Sequence, residues 1–291
     1  MEVLQQLFIE PLQVAFMQRA LLALVMIGLV SGVMGAYVVT RGMAFLGDAL
    51  AHSVLPGVAV AYLNTGGTQQ AILIGGMVAG IASALGIGLL TRGRRLSEDT
   101  AIGVIFAGTL ALGIAIISST RTYATDLSHI LIGNILAVGP DDLALIAVIG
   151  LGVLLAVALL YKELLVISFD PVLARTLRLP GEALRLLLLV LLAMTIVIGV
   201  QAVGIVLVAA MLVTPAATAR FFTRRLHRMM LTSGLIAILS GVIGLYLAWH
   251  LTIATSAAVV LTMTVFFLLA FLFAPRRGYV WALLGLSADR A

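Results

Sequence analysis

The 291-residue chain contains no cysteine. Disulfide frameworks and thiolate ligation are therefore excluded, and any metal it handles must be held by oxygen and nitrogen donors. Charge is scarce as well: Asp, Glu, Lys and Arg make up 10% of the residues, against 63% that are hydrophobic. A water-soluble core cannot hide that much apolar surface. The alternating pattern of an outer-membrane barrel is missing, and inside lipid only helices or closed barrels satisfy their own backbone hydrogen bonds, so helices remain. There is no Walker-type phosphate loop, no HExxH and no GxSxG, so the chain is not expected to hydrolyse ATP or to act as an enzyme. No charged region with a cleavage-site pattern precedes the first apolar run, and a cleaved signal peptide is not expected.

What the chain does have is a succession of apolar runs, each near the ~20 residues that a helix needs to cross a hydrocarbon layer. They fall near 17–40, 43–63, 70–90, 100–118, 143–161, 183–200, 202–219, 229–249 and 253–274. Nine crossings become eight if the stretch around Gly199 and Gly204 does not turn back on itself. The run 128–138 is too short to span and reads as a re-entrant or interfacial helix. The expected fold is all-α: a polytopic transmembrane bundle of eight or nine spans in a single domain, 1–291. Basic residues concentrate at Arg92, Arg94 and Arg95, at Lys162, Arg175 and Arg178, at Arg220, Arg224, Arg225 and Arg228, and at Arg276 and Arg277. By the positive-inside rule these loops and the C-terminus are cytoplasmic. The net charge of +5 then reflects topology and lipid contact, and nucleic acid is not expected as a partner.

Three groups of residues carry potential chemistry. Asp48 and His52 are spaced i, i+4, which puts them on one helix face. Counted from Arg41, His52 lies ~16 Å deep, near the midplane of a ~30 Å core. A carboxylate there costs at least ~2.5 kcal/mol on insertion scales, so such groups usually face a cavity or one another and mark an ion path. One carboxylate and one imidazole suit Mn²⁺, Fe²⁺ or Zn²⁺. The competing reading is an internal Asp–His contact that fixes helix packing. Asp126 and His129 either cap a short helix near the outer surface or form an outer relay for an entering cation. In the stretch 170–179, Asp170 as cap, Pro171 at the first helical position and Pro180-Gly181 as stop outline a short helix. Its apolar Leu173 and Leu177 fit a partner's groove or the bilayer surface, while Arg175 and Arg178 point elsewhere.

Taken in order, these segments resemble the permease family of manganese, zinc and iron ABC importers. The matching stretches are Phe16-Met17-Gln18-Arg19-Ala20-Leu21, Gly47-Asp48 through His52 to Leu55-Pro56-Gly57, Glu98-Asp99-Thr100-Ala101-Ile102-Gly103, Asp126-Leu127 to Asn134-Ile135-Leu136, Ser168-Phe169-Asp170-Pro171, and Val203-Gly204-Ile205 to Pro215-Ala216-Ala217. The resemblance implies an importer of Mn²⁺ or Zn²⁺, with Fe²⁺ as a further cargo, in the bacterial plasma membrane and with no permanently bound cofactor. It implies a homodimer of permeases, two cytoplasmic ATP-binding-cassette subunits and an extracytoplasmic metal-binding protein that delivers the ion. Asp48 and His52 would line the metal path. Asp170, Pro171, Leu173, Arg175, Leu177 and Arg178 would couple it to the ATPase. A secondary-active metal transporter is the rival; it would need an internal repeat and coupling carboxylates in more than one span, and the sequence has neither.

Overall fold

The computed structural model describes residues 10–94, 96–119, 135–275 and 278–283, and among them every regular element is a helix. The principal helices are α1 (Ala15–Thr40), α2 (Ala44–Ser53), α3 (Leu55–Thr65), α4 (Gln69–Leu90), α5 (Glu98–Ser118) and α6 (Pro140–Leu159). Then come α7 (Tyr161–Phe169), α8 (Pro171–Thr176), α9 (Gly181–Val203), α10 (Ile205–Phe222), α11 (Leu226–Leu251) and α12 (Thr255–Phe273). With α2 and α3 counted together, nine among the described residues are long and apolar enough to cross a membrane. Some spans begin earlier than hydropathy alone places them, because a polar first turn belongs to the helix. In α5 the Ser97 side chain accepts from the Thr100 amide at 3.1 Å. Glu98 and Asp99 fill that turn, where the helix dipole favours carboxylates.

The choice between eight and nine crossings is decided at Gly204. Its φ of 87° and ψ of 166° lie in a region open essentially to glycine. A two-helix reversal with no loop is thus built into the long apolar run. The expected re-entrant helix lies mostly outside the described residues; of it, Ile135–Ala137 forms one 3₁₀ turn.

Burial separates core from rim. The most apolar windows of α1, α2–α3 and α9 are 67%, 67% and 72% buried, whereas those of α5, α6 and α12 are 17%, 22% and 28% buried. On α6, Val148, Leu151, Leu155 and Leu159 form an exposed stripe at helical spacing, a surface that only lipid or another chain covers. Helix α2 packs against α4, α5, α9 and α10. Its continuation α3 packs on α4 through facing glycines. A β-carbon at Gly57 would lie 2.0 Å from the Gly75 carbonyl oxygen, so the backbones touch as small residues allow in lipid.

Candidate functional site

Helix α2 is short because the chain breaks at Val54. Pro56 in the first turn of α3 has no amide to give the His52 carbonyl, which accepts from the Val54 amide instead. The break is braced sideways: the Ser53 hydroxyl donates to the Ala49 carbonyl at 2.7 Å and lies 2.8 Å from the Thr109 hydroxyl of α5. Leu46, Gly47, Ala49, Leu50, Ala51 and Ser53 are buried against neighbouring helices. The remaining face carries Asp48 and His52.

The structure brings these two together as the spacing predicts. His52 Nε2 lies 3.7 Å from Asp48 Oδ1, and the side chains are 30% and 44% exposed. At that distance the pair is an electrostatic contact and not a hydrogen bond. The contact stays open on one side. The Phe106 ring of α5 meets the imidazole edge-on at 5.8 Å and also meets Phe45 at 5.6 Å. His52 Nδ1 is buried with no hydrogen-bond partner. Among the described residues no cluster of three or more His, Asp or Glu side chains exists that would hold a metal ion. This chain therefore presents a carboxylate and an imidazole on an open helix face. Asp126 and His129 lie outside the described residues.

At the arginine-bearing end, α8 forms as expected. The Asp170 carboxylate accepts from the Val172 and Leu173 amides at 3.0 and 2.9 Å, and Pro171 occupies the first helical position. Ala174 is buried while Leu173, Leu177, Arg175 and Arg178 are exposed. Arg178 adopts φ 54° where the chain leaves the helix. Apart from Ala174, the apolar side chains of this helix are thus displayed and not buried in their own chain.

One cluster escaped the sequence reading. Arg41 Nη2 pairs with Glu98 Oε1 at 3.2 Å, and Arg185 lies 3.8 Å from the same oxygen. Arg185 also reaches Glu182 at 3.1 Å, the Gly88 carbonyl at 2.6 Å and the Thr91 hydroxyl. Burial pushes the Arg41 guanidinium below its ordinary value, and the Glu98 carboxylate opposes that shift. The cluster ties together the ends of α1, α4, α5 and α9. Glu98 stood within one of the motifs, but nothing in its spacing named Arg41 or Arg185 as partners.

A bundle of membrane-crossing helices that includes a broken helix with an open acid–imidazole face, and a capped helix displayed at one end, defines an integral membrane transport subunit. The ABC 3 transport family matches residues 13–274, and the chain belongs to that family. It is a transport subunit, not an enzyme. The manganese transport system membrane protein MntC of Listeria monocytogenes is 45% identical over 277 residues, covering 95% of this chain and 97% of that protein. A probable iron transport system membrane protein of Haemophilus influenzae is 37% identical, covering 92% and 97%. The solved structure of PsaBC from Streptococcus pneumoniae in complex with Fab superposes with a TM-score of 0.82 at 38% identity, covering 94% of this chain and 98% of that one.

Proposed function

We propose that this chain is the permease of an ATP-driven importer of a divalent transition-metal ion, with manganese the first cargo to test, and that Asp48 and His52 line the path. The observation that carries the reading is the open Asp48–His52 face in the middle of a crossing, flanked by Phe106. Two ionisable groups at that depth are costly unless they serve an ion. A carboxylate with an imidazole suits Mn²⁺, Fe²⁺ and Zn²⁺ alike. Relatives named for manganese put that ion first, and the relative named for iron keeps Fe²⁺ as a competitor beside Zn²⁺.

A divalent first-row ion in a nitrogen and oxygen site generally takes at least four ligands, and one protomer offers two. A homodimer about a twofold axis brings the same patch to itself and supplies two carboxylates and two imidazoles. The two carboxylates also neutralise a dication in a medium that penalises uncompensated charge. Two ATPase subunits dock from the cytoplasm, with α8 as the coupling element. An extracytoplasmic binding protein delivers the ion at the opposite face. In this arrangement the whole chain, 1–291, works as one transmembrane unit in the bacterial plasma membrane, and the arginine-bearing loops and C-terminus are cytoplasmic.

The test is radiolabelled Mn²⁺ uptake in bacteria deprived of their own importers and expressing this chain with its cognate ATPase and binding protein. Saturable uptake that vanishes when the ATPase phosphate-loop lysine is replaced is expected, with unlabelled Zn²⁺ and Fe²⁺ as competitors. Uptake that persists without a working ATPase would mean a secondary-active carrier.

A further inference from the structure

The His52 imidazole lacks the tether that a ligating histidine normally has. A ring that binds metal through one nitrogen usually donates from the other to a carboxylate or a carbonyl, and that bond fixes its orientation. Here Nε2 faces Asp48 Oδ1 at 3.7 Å, while Nδ1 is buried with no hydrogen-bond partner among the described residues. No polar contact stops the ring from turning about its broad, roughly twofold χ2 torsion and hiding Nε2 instead.

What stands against the imidazole is Phe106. The two rings meet at 69° with centroids 5.8 Å apart, and Phe106 in turn meets Phe45 at 78° and 5.6 Å. Both are edge-to-face contacts, an arrangement that aromatic quadrupoles favour. Phe45, Asp48 and His52 stand at i, i+3 and i+7 of α2 and so share one stripe. Phe106 therefore spans the stripe from Phe45 to His52, with Asp48 between them in the chain.

The helix that carries Phe106 is held at this level. The buried residues of α5 are Ala101, Ile102 and Gly113, and the helix packs on both α2 and α3. Thr109, one turn beyond Phe106, has its hydroxyl 2.8 Å from that of Ser53, the residue after His52. One turn further on, a β-carbon at Gly113 would lie 3.1 Å from Leu55 Cβ. Phe106, Thr109 and Gly113 thus mark the line along which α5 meets the broken helix, and the register of that line sets the Phe106 ring against the imidazole.

We propose that Phe106 is a positioning residue for the metal path: its ring, braced by Phe45 and kept in register by Thr109, replaces the missing polar tether and holds His52 Nε2 on the Asp48 side. The proposal rests on the reading that Asp48 and His52 line that path. An apolar brace restrains rotation without offering the ion a further ligand. That suits a transported ion, which must be held firmly enough to enter and loosely enough to leave.

The experiment titrates Mn²⁺ into the purified permease–ATPase complex in nanodiscs, with pulsed EPR reading the nitrogen coupling of a bound imidazole and a thermal midpoint measured for every variant. Phe106→Ala and Phe106→Leu are each expected to weaken Mn²⁺ binding about tenfold or more, as loss of a ligand's support does, and to diminish the nitrogen coupling. Phe106→Tyr keeps the ring and should bind with near-parental affinity. Leucine fills much of the same space without a flat ring, so Phe106→Leu should also keep the parental thermal midpoint. Unchanged affinity and coupling in Phe106→Ala, full recovery in Phe106→Leu, or weakened binding only where the midpoint has also fallen would each make Phe106 a packing residue and overturn the proposal, while the Asp48–His52 path stands. A parental complex with no nitrogen coupling, or parental binding in His52→Ala, would remove His52 from the path itself, and this inference would fail with it.

Discussion

At the scale of single residues, Asp48 and His52 hold each other weakly, and that makes them separable from the fold. The 3.7 Å contact and the partial exposure of both side chains mean that alanine at either position removes little packing. Asp48→Ala and His52→Ala are each expected to cut uptake by more than about 100-fold, since lost ligand-supporting contacts alone cost 10–100-fold in metal affinity. The protein should still reach the membrane in parental amounts, as read by immunoblot of membrane fractions; parental uptake in either variant would remove the pair from the path. Glu98→Gln behaves oppositely. It leaves Arg41 and Arg185 facing each other without their shared carboxylate. Breaking a buried pair costs roughly 3–5 kcal/mol, and the partial exposure of Glu98 brings the expectation to about 1–3 kcal/mol. Its check is a lowered thermal midpoint in detergent; an unchanged midpoint would show the cluster to be ornamental to stability. The two cases also show what a sequence can disclose. Asp48 and His52 are four apart and deep in an apolar run, so helical period and burial depth expose them. Arg41, Glu98 and Arg185 meet only after four helices have packed, and no local period encodes that.

At the scale of elements, the spans were legible because lipid makes each one answer to the same arithmetic of length and apolarity. The end of α9 at Gly204 was not settled by hydropathy, since a reversal without polar residues leaves no trace in an apolar count. Only the glycine's positive φ permits it. Helix α8 was legible from capping chemistry, Asp170 followed by Pro171, and the structure adds which of its side chains face outward. Leu173 and Leu177 are both exposed, so Leu173→Asp with Leu177→Asp should not disturb the fold. In a partner's apolar groove each unpaired carboxylate costs several kcal/mol. The double variant is therefore expected to lose its ATPase on size-exclusion chromatography while keeping the parental thermal midpoint. Retention of the ATPase together with unchanged transport would make α8 a surface helix and nothing more.

At the scale of the whole molecule, the Asp48–His52 face is open in a single chain, and the proposed metal path, with two side-chain ligands per chain, asks for a second copy. Composition and spacing are silent on assembly, because a twofold interface is written in which face remains uncovered after folding. The structure shows which side of α2 its own chain leaves uncovered. Ala49, Ala51 and Ser53 are buried within their own protomer, whereas Ala44 and Phe45 are exposed. Ala44 precedes Asp48 by four residues, which places it on the same side of α2. The chain has no native cysteine, so Ala44→Cys or Phe45→Cys introduces the sole thiol. If two Asp48–His52 faces meet across a twofold axis, these thiols approach their counterparts, and a short bifunctional maleimide should give a covalent dimer in membranes. Direct disulfide formation needs Cα separations below about 7 Å, so oxidation tests the closest geometry and the reagent the wider one. Cysteines on the exposed stripe of α6, such as Leu151→Cys, serve as the control for random collision. Crosslinking at Ala44 or Phe45 that exceeds this control, and that changes when Mn²⁺ is added, is the expected result. If neither position crosslinks while the dimer is demonstrated intact by light scattering, the two faces do not meet. The ion would then be held within one subunit, and the missing ligands would have to come from elsewhere in the same chain.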